Sequence, residues 1–193
     1  MSNKKIVFII HGWSDSPRGS WFPWLKTELR KRGFIAYVPK MPNTNTPKIK
    51  AWISKLRKVA QKANENTYFV GHSIGCQAIM RYLGGLPKRK KIGGAIFVAG
   101  WMTLTNQTHE EKPIARPWLE TKINFAKVKK SAKKFVAVFS DNDPYVTFSK
   151  NSKIFKQKLG AEIILEHKKG HFFGSDGVTK LPIVLKALLR MTQ

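Results

Sequence analysis

Short apolar runs punctuate the chain at 6–10, 34–38, 68–70, 92–99, 135–139 and 162–165. They draw on Val, Ile, Phe and Tyr and are bounded by Gly, Pro, Asn or Asp. Their apolar character is near-continuous instead of alternating, which suits strands buried on both faces. Between them the period lengthens. Ile49, Trp52, Ile53, Leu56, Val59, Ala60 and Ala63 recur at three and four residues, opposite Lys50, Lys55, Arg57, Lys58 and Lys62. That stripe predicts an amphipathic helix, with Thr46 as its cap and Pro47 in its first turn. Cys76, Ala78, Ile79, Tyr82 and Leu83 predict a helix after the third strand, and Leu181, Val184, Leu185, Leu188 and Leu189 a last one.

Strands alternating with helices through right-handed crossovers predict an α/β fold, a three-layer α/β/α sandwich around a parallel sheet of about six strands. The length, 193 residues, suits one domain over 1–193. In such a sheet, ligands bind beyond the carboxyl ends of the strands, so the residues that follow each strand are where chemistry is expected. The segment 101–121, with Pro113 and Pro117, lacks clear periodicity and is long for a loop. It is a candidate short lid or pocket wall.

After the third strand comes Gly71-His72-Ser73-Ile74-Gly75, a Gly-x-Ser-x-Gly pattern between a strand and a helix. The pattern suits a sharp turn that exposes a strained serine, the glycines leaving room for close approach. The helix behind it aims its N-terminus at the serine and favours negative charge there. A serine nucleophile needs a base, and the base an orienting carboxylate. Gly170-His171-Phe172 follows the last strand. Ser140-Asp141-Asn142-Asp143-Pro144-Tyr145-Val146 follows the fifth and offers two carboxylates, Asp141 and Asp143. The order Ser, Asp, His is the one this strand–turn–helix context calls for. His11 and His72 sit inside motifs and are expected to bond loop backbone. His167 closes a strand, and His109 lies in the candidate lid. Cys76 reads as a small packing residue.

Taken together, these segments resemble the α/β-hydrolases, more narrowly the small serine hydrolases of the retinoblastoma-binding-protein-nine type and their bacterial relatives. The likeness covers nearly the whole chain. It rests on His11-Gly12-Trp13 after the first strand, on Gly-His-Ser-x-Gly followed by Met80-Arg81-Tyr82, on Asp143-Pro144-Tyr145-Val146 and on Gly170-His171-Phe172. The resemblance implies Ser73 as nucleophile, Asp143 as acid and His171 as base. It also implies a reduced hydrolase sheet lacking the first two strands of larger relatives, and an oxyanion hole from the Trp13 and Ile74 amides. The Leu-x-Cys-x-Glu motif of the mammalian namesake is missing, because the single cysteine stands in Ile74-Gly75-Cys76-Gln77-Ala78; binding to retinoblastoma-type partners is not implied. Trp101, Trp118 and Phe172 are candidates to line a substrate pocket, with plain core packing as the alternative.

Composition narrows the rest. One cysteine excludes a disulfide framework and a Cys-rich zinc module, and favours a reducing, cytoplasmic setting. No apolar stretch approaches the ~18 residues of a membrane span, and the run 6–10 reads as a strand instead of a signal segment. The net charge is +25, which raises nucleic acid, anionic membrane or acidic partners as candidates. The charge is spread as +11, +4 and +10 over residues 1–70, 71–120 and 121–193, so a basic globular surface is expected, not a nucleic-acid arm. No recognition helix or RNA-binding aromatic motif is present. Lys88-Arg89-Lys90-Lys91 and the cluster at 127–134 read as solvated faces. The expected activity is thus a carboxylesterase-like serine hydrolase acting on a small-molecule acyl substrate, with no cofactor and no metal required, and with the cationic surface weakly favouring an anionic substrate. The alternative is a weak or inactive hydrolase-fold module that binds a polyanion non-specifically.

Overall fold

The structure, a computed structural model, describes residues 4–193. Six strands, β1 (Ile6–Ile10), β2 (Ile35–Tyr37), β3 (Thr67–His72), β4 (Ile92–Val98), β5 (Ala132–Ser140) and β6 (Glu162–Glu166), form one sheet in the order β2-β1-β3-β4-β5-β6. Every pairing is parallel. The helices are α1 (Phe22–Lys31), α2 (Ile49–Val59), α3 (Ile74–Gly84), α4 (Glu111–Glu120), α5 (Phe125–Ser131), α6 (Phe148–Leu159) and α7 (Pro182–Met191).

The strands look uniformly apolar in sequence because helices cover both faces, yet a period of two is present within them. Val7, Ile9, Val70, Ile96, Val98, Val136 and Val138 face one way and pack against Phe22, Leu25 and Leu29 of α1 and Val184, Leu185 and Leu188 of α7. Phe8, Phe69, Phe97, Phe135 and Phe139 face the other way, toward Trp52 and Leu56 of α2, Ile79 and Leu83 of α3, and Phe155 and Leu159 of α6. One face is thus branched and aliphatic, the other aromatic. On the aromatic face, Phe8 and Phe69 stack across adjacent strands at 5.4 Å, and Phe97 meets Phe155 of α6 at 5.3 Å, joining sheet to helix layer. Each such side chain, fully buried, contributes ~1.5–3 kcal/mol of transfer free energy.

Two local expectations are revised. Lys48, not Thr46, is the N-cap of α2, no side chain caps it, and Pro47 precedes the helix instead of lying in its first turn. The segment 101–121 contains α4, although it shows no readable periodicity. Its start is braced reciprocally: the Thr108 amide donates to Glu111 Oε2 at 2.9 Å and the Glu111 amide to Thr108 Oγ1 at 3.2 Å. Pro113 falls in the first turn, where its missing N–H is not needed. Within α4, Ala115 and Trp118 alone are fully buried, too narrow a stripe to register as an amphipathic face.

The chain runs from β1 to β2 on one side and then returns to β3 on the other. At that reversal the carboxyl ends of β1 and β3 part, and a crevice opens between the loops that follow them. No helix among the described residues is long and apolar enough to cross a membrane.

Candidate active site

Ser73 occupies the single residue between β3 and α3. Its φ of 51° and ψ of −120° lie in a region that non-glycine residues rarely enter. Bonds on both sides hold it there: the Ser73 amide donates to the Val98 carbonyl at 2.9 Å, and the Cys76 amide donates to the Ser73 carbonyl at 3.0 Å. Gly75 permits the close seat of α3 on β1, since a Cβ there would stand 2.4 Å from the Ile10 carbonyl oxygen. The strain is sustained by packing, and it presents the hydroxyl above the sheet edge.

His171 is brought to that hydroxyl by the parallel loops after β5 and β6, which bond each other residue by residue. Ser140 Oγ accepts from the Lys169 amide (3.0 Å), Asp141 from the Lys168 amide (2.8 Å) and His167 Nδ1 (2.5 Å), and Asn142 from the Gly170 amide (2.9 Å). Asp143 Oδ2 then meets His171 Nδ1 at 2.7 Å. Asp143 Oδ1 is fixed in turn by the amides of Tyr145 (2.9 Å) and Val146 (3.0 Å). His171 Nε2 lies 2.9 Å from Ser73 Oγ. Of the two candidate carboxylates, Asp143 therefore touches the imidazole and is almost wholly covered, whereas Asp141 braces the loop at the surface. The Lys168 amide and His167 beside it hold the Asp141 carboxyl below its usual range.

Two further histidines, His11 and His72, bond backbone. His11 Nδ1 donates to the Gly12 carbonyl at 2.9 Å while Nε2 accepts from the Met41 amide at 3.1 Å, and burial lowers its pKa. His72 Nε2 donates to the His171 carbonyl at 2.7 Å. Complete burial, reinforced by the neighbouring His171, pushes His72 down to about 3, so it is a neutral strut beneath the imidazole. Burial raises the Cys76 thiol, whose Sγ donates to the Val98 carbonyl at 3.4 Å; this is a packing residue, not a nucleophile. Among the described residues no cluster of His, Cys, Asp and Glu is arranged to hold a metal ion.

A cavity of about 330 Å³ opens on Ser73 and His171, walled by Trp13, Trp101, Leu104, Ile114, Tyr145 and Phe173, with Ser14, Asn45, Gln107, Glu110 and Glu111 as its polar members. Residues of the 101–121 segment thus form one wall. Two expected pocket residues lie elsewhere. Trp118 is buried under α4, its indole donating to the Pro47 carbonyl at 2.9 Å and meeting Trp52 edge-on. Phe172, at φ 60°, turns away from the site into the aliphatic face of the sheet, and Phe173 takes the pocket position. Tyr145 and Phe173, edge-on and tilted against the His171 ring at 5.3 and 4.9 Å, were not anticipated, although Tyr145 stands within the Asp-Pro-Tyr-Val segment. Nor was the bond from Trp101 Nε1 to Ser73 Oγ at 3.3 Å. Of the two amides implied for an oxyanion, Ile74 opens α3 and so has no intrahelical acceptor, and Trp13 lies on the cavity wall.

The chain is similar to known proteins over nearly its whole length. A family model described as serine hydrolase matches residues 7–190. The Bacillus subtilis protein YdeN is 37% identical over 186 residues, spanning 95% of this chain and 94% of its own. Its crystal structure superposes with a TM-score of 0.90, covering 98% of this chain and 99% of YdeN. The serine hydrolase RBBP9 of Rattus norvegicus is 22% identical over 189 residues, covering 96% of this chain and 95% of RBBP9. Est1E of Butyrivibrio proteoclasticus, at 15% identity and a TM-score of 0.75 over 98% of this chain and 88% of its own, shares the fold.

Proposed function

The chain belongs to the serine hydrolase family, and from that premise we propose that it cleaves carboxylic esters of small or medium acyl groups through an acyl-enzyme on Ser73. One observation carries the reading: His171 stands 2.9 Å from Ser73 Oγ through one nitrogen and 2.7 Å from Asp143 through the other. An ionised Asp143 accepts the Nδ1 proton and leaves Nε2 free to accept from the serine hydroxyl.

The cycle follows from that tautomer. Ser73 Oγ attacks the ester carbonyl as its proton passes to His171 Nε2, and the carbonyl electron pair moves onto oxygen. The Trp13 and Ile74 amides receive that oxyanion, each such donor being worth ~3–4 kcal/mol of barrier. The imidazolium, stabilised by Asp143, then protonates the departing alkoxide. Water repeats the sequence on the acyl-serine and restores the hydroxyl.

The cavity wall argues for the substrate. Its apolar members suit an acyl chain, and about 330 Å³ is at the small end of ligand pockets. The basic residues of the chain do not line it: Lys and Arg contribute nothing to the wall, whereas Glu110 and Glu111 do. An uncharged ester fits such a wall better than an anionic one. The test is a fluorophosphonate probe followed by mass spectrometry, with Ser73→Ala as control, and a panel of chromogenic esters of graded chain length. Adduct at Ser73 and turnover of short neutral esters are expected. An unlabelled Ser73 in folded protein would refute the reading.

A further inference from the structure

We infer that the Trp101 indole N–H is a catalytic donor to the nucleophile, stabilising the negative charge that gathers on Ser73 Oγ as its proton leaves for His171. The inference rests on the hydrolase reading above. Trp101 Nε1 lies 3.3 Å from Ser73 Oγ. The hydroxyl is therefore held from two sides, donating to His171 Nε2 and accepting from the indole. Buried indoles usually find an acceptor: Trp52 and Trp118 donate to the carbonyls of Pro42 and Pro47, as the half-buried Trp13 does to Asn45, whereas the buried Trp21 Nε1 has no partner among the described residues. Trp101 instead spends its proton on the atom that would react.

The surroundings fix it there. The chain leaves β4 through Ala99, at φ 46°, and so turns Trp101 back over the neighbouring strand's Ser73. Gly100 is required by packing, since a Cβ would stand 2.7 Å from the Phe155 ring. The Trp101 carbonyl accepts from Gln77 Nε2 at 2.6 Å. Gln77 Oε1 accepts from Arg81, which also donates to the carbonyls of Trp118 (2.8 Å) and Thr121 (2.6 Å). Helix α3 thus clamps the Trp101 backbone while bonding the end of α4. The positive φ of Ala99 is held by its own amide, which donates to the Val138 carbonyl at 2.9 Å, and by the Gln77 bond to Trp101 beside it; strain of this kind persists where the surroundings over-determine it.

During attack the indole keeps its own proton; only its acceptor changes. Oγ passes from a neutral hydroxyl to an oxygen carrying partial negative charge while its proton moves to Nε2 and its bond to the acyl carbon forms. A hydrogen bond to a charged acceptor is roughly twice as strong as one to a neutral acceptor. The N–H therefore lowers the barrier to acylation and leaves substrate binding nearly unchanged, an effect expected at about tenfold.

The test replaces Trp101 by benzothienylalanine, which keeps the ring shape and substitutes sulfur for N–H, alongside Trp101→Phe. Acylation by a short chromogenic ester is followed by stopped flow, with fluorophosphonate labelling in parallel. Expected are acylation about tenfold slower in the benzothienyl protein, a substrate dissociation constant, read from the concentration dependence of the acylation rate, within about twofold, and an unchanged melting temperature. Wild-type acylation in that protein, or a loss confined to the substrate dissociation constant, would overturn the inference and leave the hydrolase reading standing. Absence of labelling in the wild type would overturn both. If Trp101→Phe proves unstable, the isosteric variant alone decides.

Discussion

Asp143→Asn offers the sharpest test, because its neighbours dictate which way the new amide must point. Asp143 Oδ1 accepts from the amides of Tyr145 and Val146 at 2.9 and 3.0 Å, and only an oxygen can do so. In the variant the carbonyl oxygen stays on those two donors, so the NH₂ group faces His171 Nδ1 at the position where Oδ2 now lies, 2.7 Å away. Two donors cannot share that contact. Neutral His171 must give up its Nδ1 proton and carry it on Nε2, where it confronts Ser73 Oγ as a donor and cannot take a proton. Reversing the tautomer in a Ser-His-Asp site costs on the order of 10⁴ in kcat, about 5 kcal/mol of barrier. Stability should change by only ~1 kcal/mol, because the loop keeps both amide bonds. Asp141→Asn is the matched control. It retains an acceptor for the Lys168 amide and loses only an exposed pairing with His167, so activity should stay within about fivefold. Hydrolysis of a chromogenic short-chain ester, with denaturant unfolding in parallel, reads both. More than a tenth of wild-type activity in Asp143→Asn, or inactivity of a folded Asp141→Asn, would refute the orientation reasoning.

His72 supplies a pH dependence. Its pKa is about 3 in the fold against 6.5 unperturbed, so below pH 6.5 the unfolded chain takes a proton that the folded one refuses. Its contribution is intact above pH 6.5 and is lost by roughly 1.4 kcal/mol per pH unit as pH falls toward 3; melting curves of the wild type should fall more steeply over that window than those of His72→Gln, and parallel curves would contradict it. Gly75→Ala should destabilise by more than ~2 kcal/mol or prevent folding, because its Cβ meets the Ile10 carbonyl at 2.4 Å; an unchanged denaturation midpoint would show that α3 can shift. Trp118→Phe strands the buried Pro47 carbonyl and should cost ~1–3 kcal/mol without altering acyl-chain preference, whereas a changed preference would return Trp118 to the pocket. Neutral-ester kcat/KM should stay flat between low and moderate salt, because Lys and Arg contribute nothing to the cavity lining and the distant surface charge is screened within ~10 Å at 0.1 M; a steep fall would assign the +25 charge a part in substrate capture.

The strands were legible because both faces of the sheet are covered, and doubly covered strands have to be apolar throughout. What could not be read from that uniformity is which residue faces which layer; the split into valines on one side and phenylalanines on the other emerges only with the register. Helix α4 was hidden for the opposite reason. It buries just Ala115 and Trp118 and takes the rest of its order from the Thr108–Glu111 brace and from Arg81 bonding its last turn. Pocket membership failed at Phe172 because one positive φ exchanges adjacent side chains between the cavity and the core. Nothing in the pair Phe172-Phe173 marks which of them turns inward.

The choice between Asp141 and Asp143 shows what sequence order can and cannot decide. Ser73, a carboxylate and His171 were placed at strand ends by motif and order alone, but two carboxylates lay within reach. The structure separates them through the parallel pairing of β5 with β6. Ser140 is in register with Glu166, and two loops leaving parallel strands run side by side in the same direction. Each position in one therefore meets a later position in the other: Asp141 meets His167 and Lys168, Asn142 meets Gly170, Asp143 meets His171. The second loop is two residues longer over this stretch, and its backbone bends at positive φ at Lys168 (54°) and Gly170 (53°). The imidazole consequently lands opposite the carboxylate three residues past the strand, not the one beside it. Asp141, nearer in sequence to the strand, is spent on keeping that register.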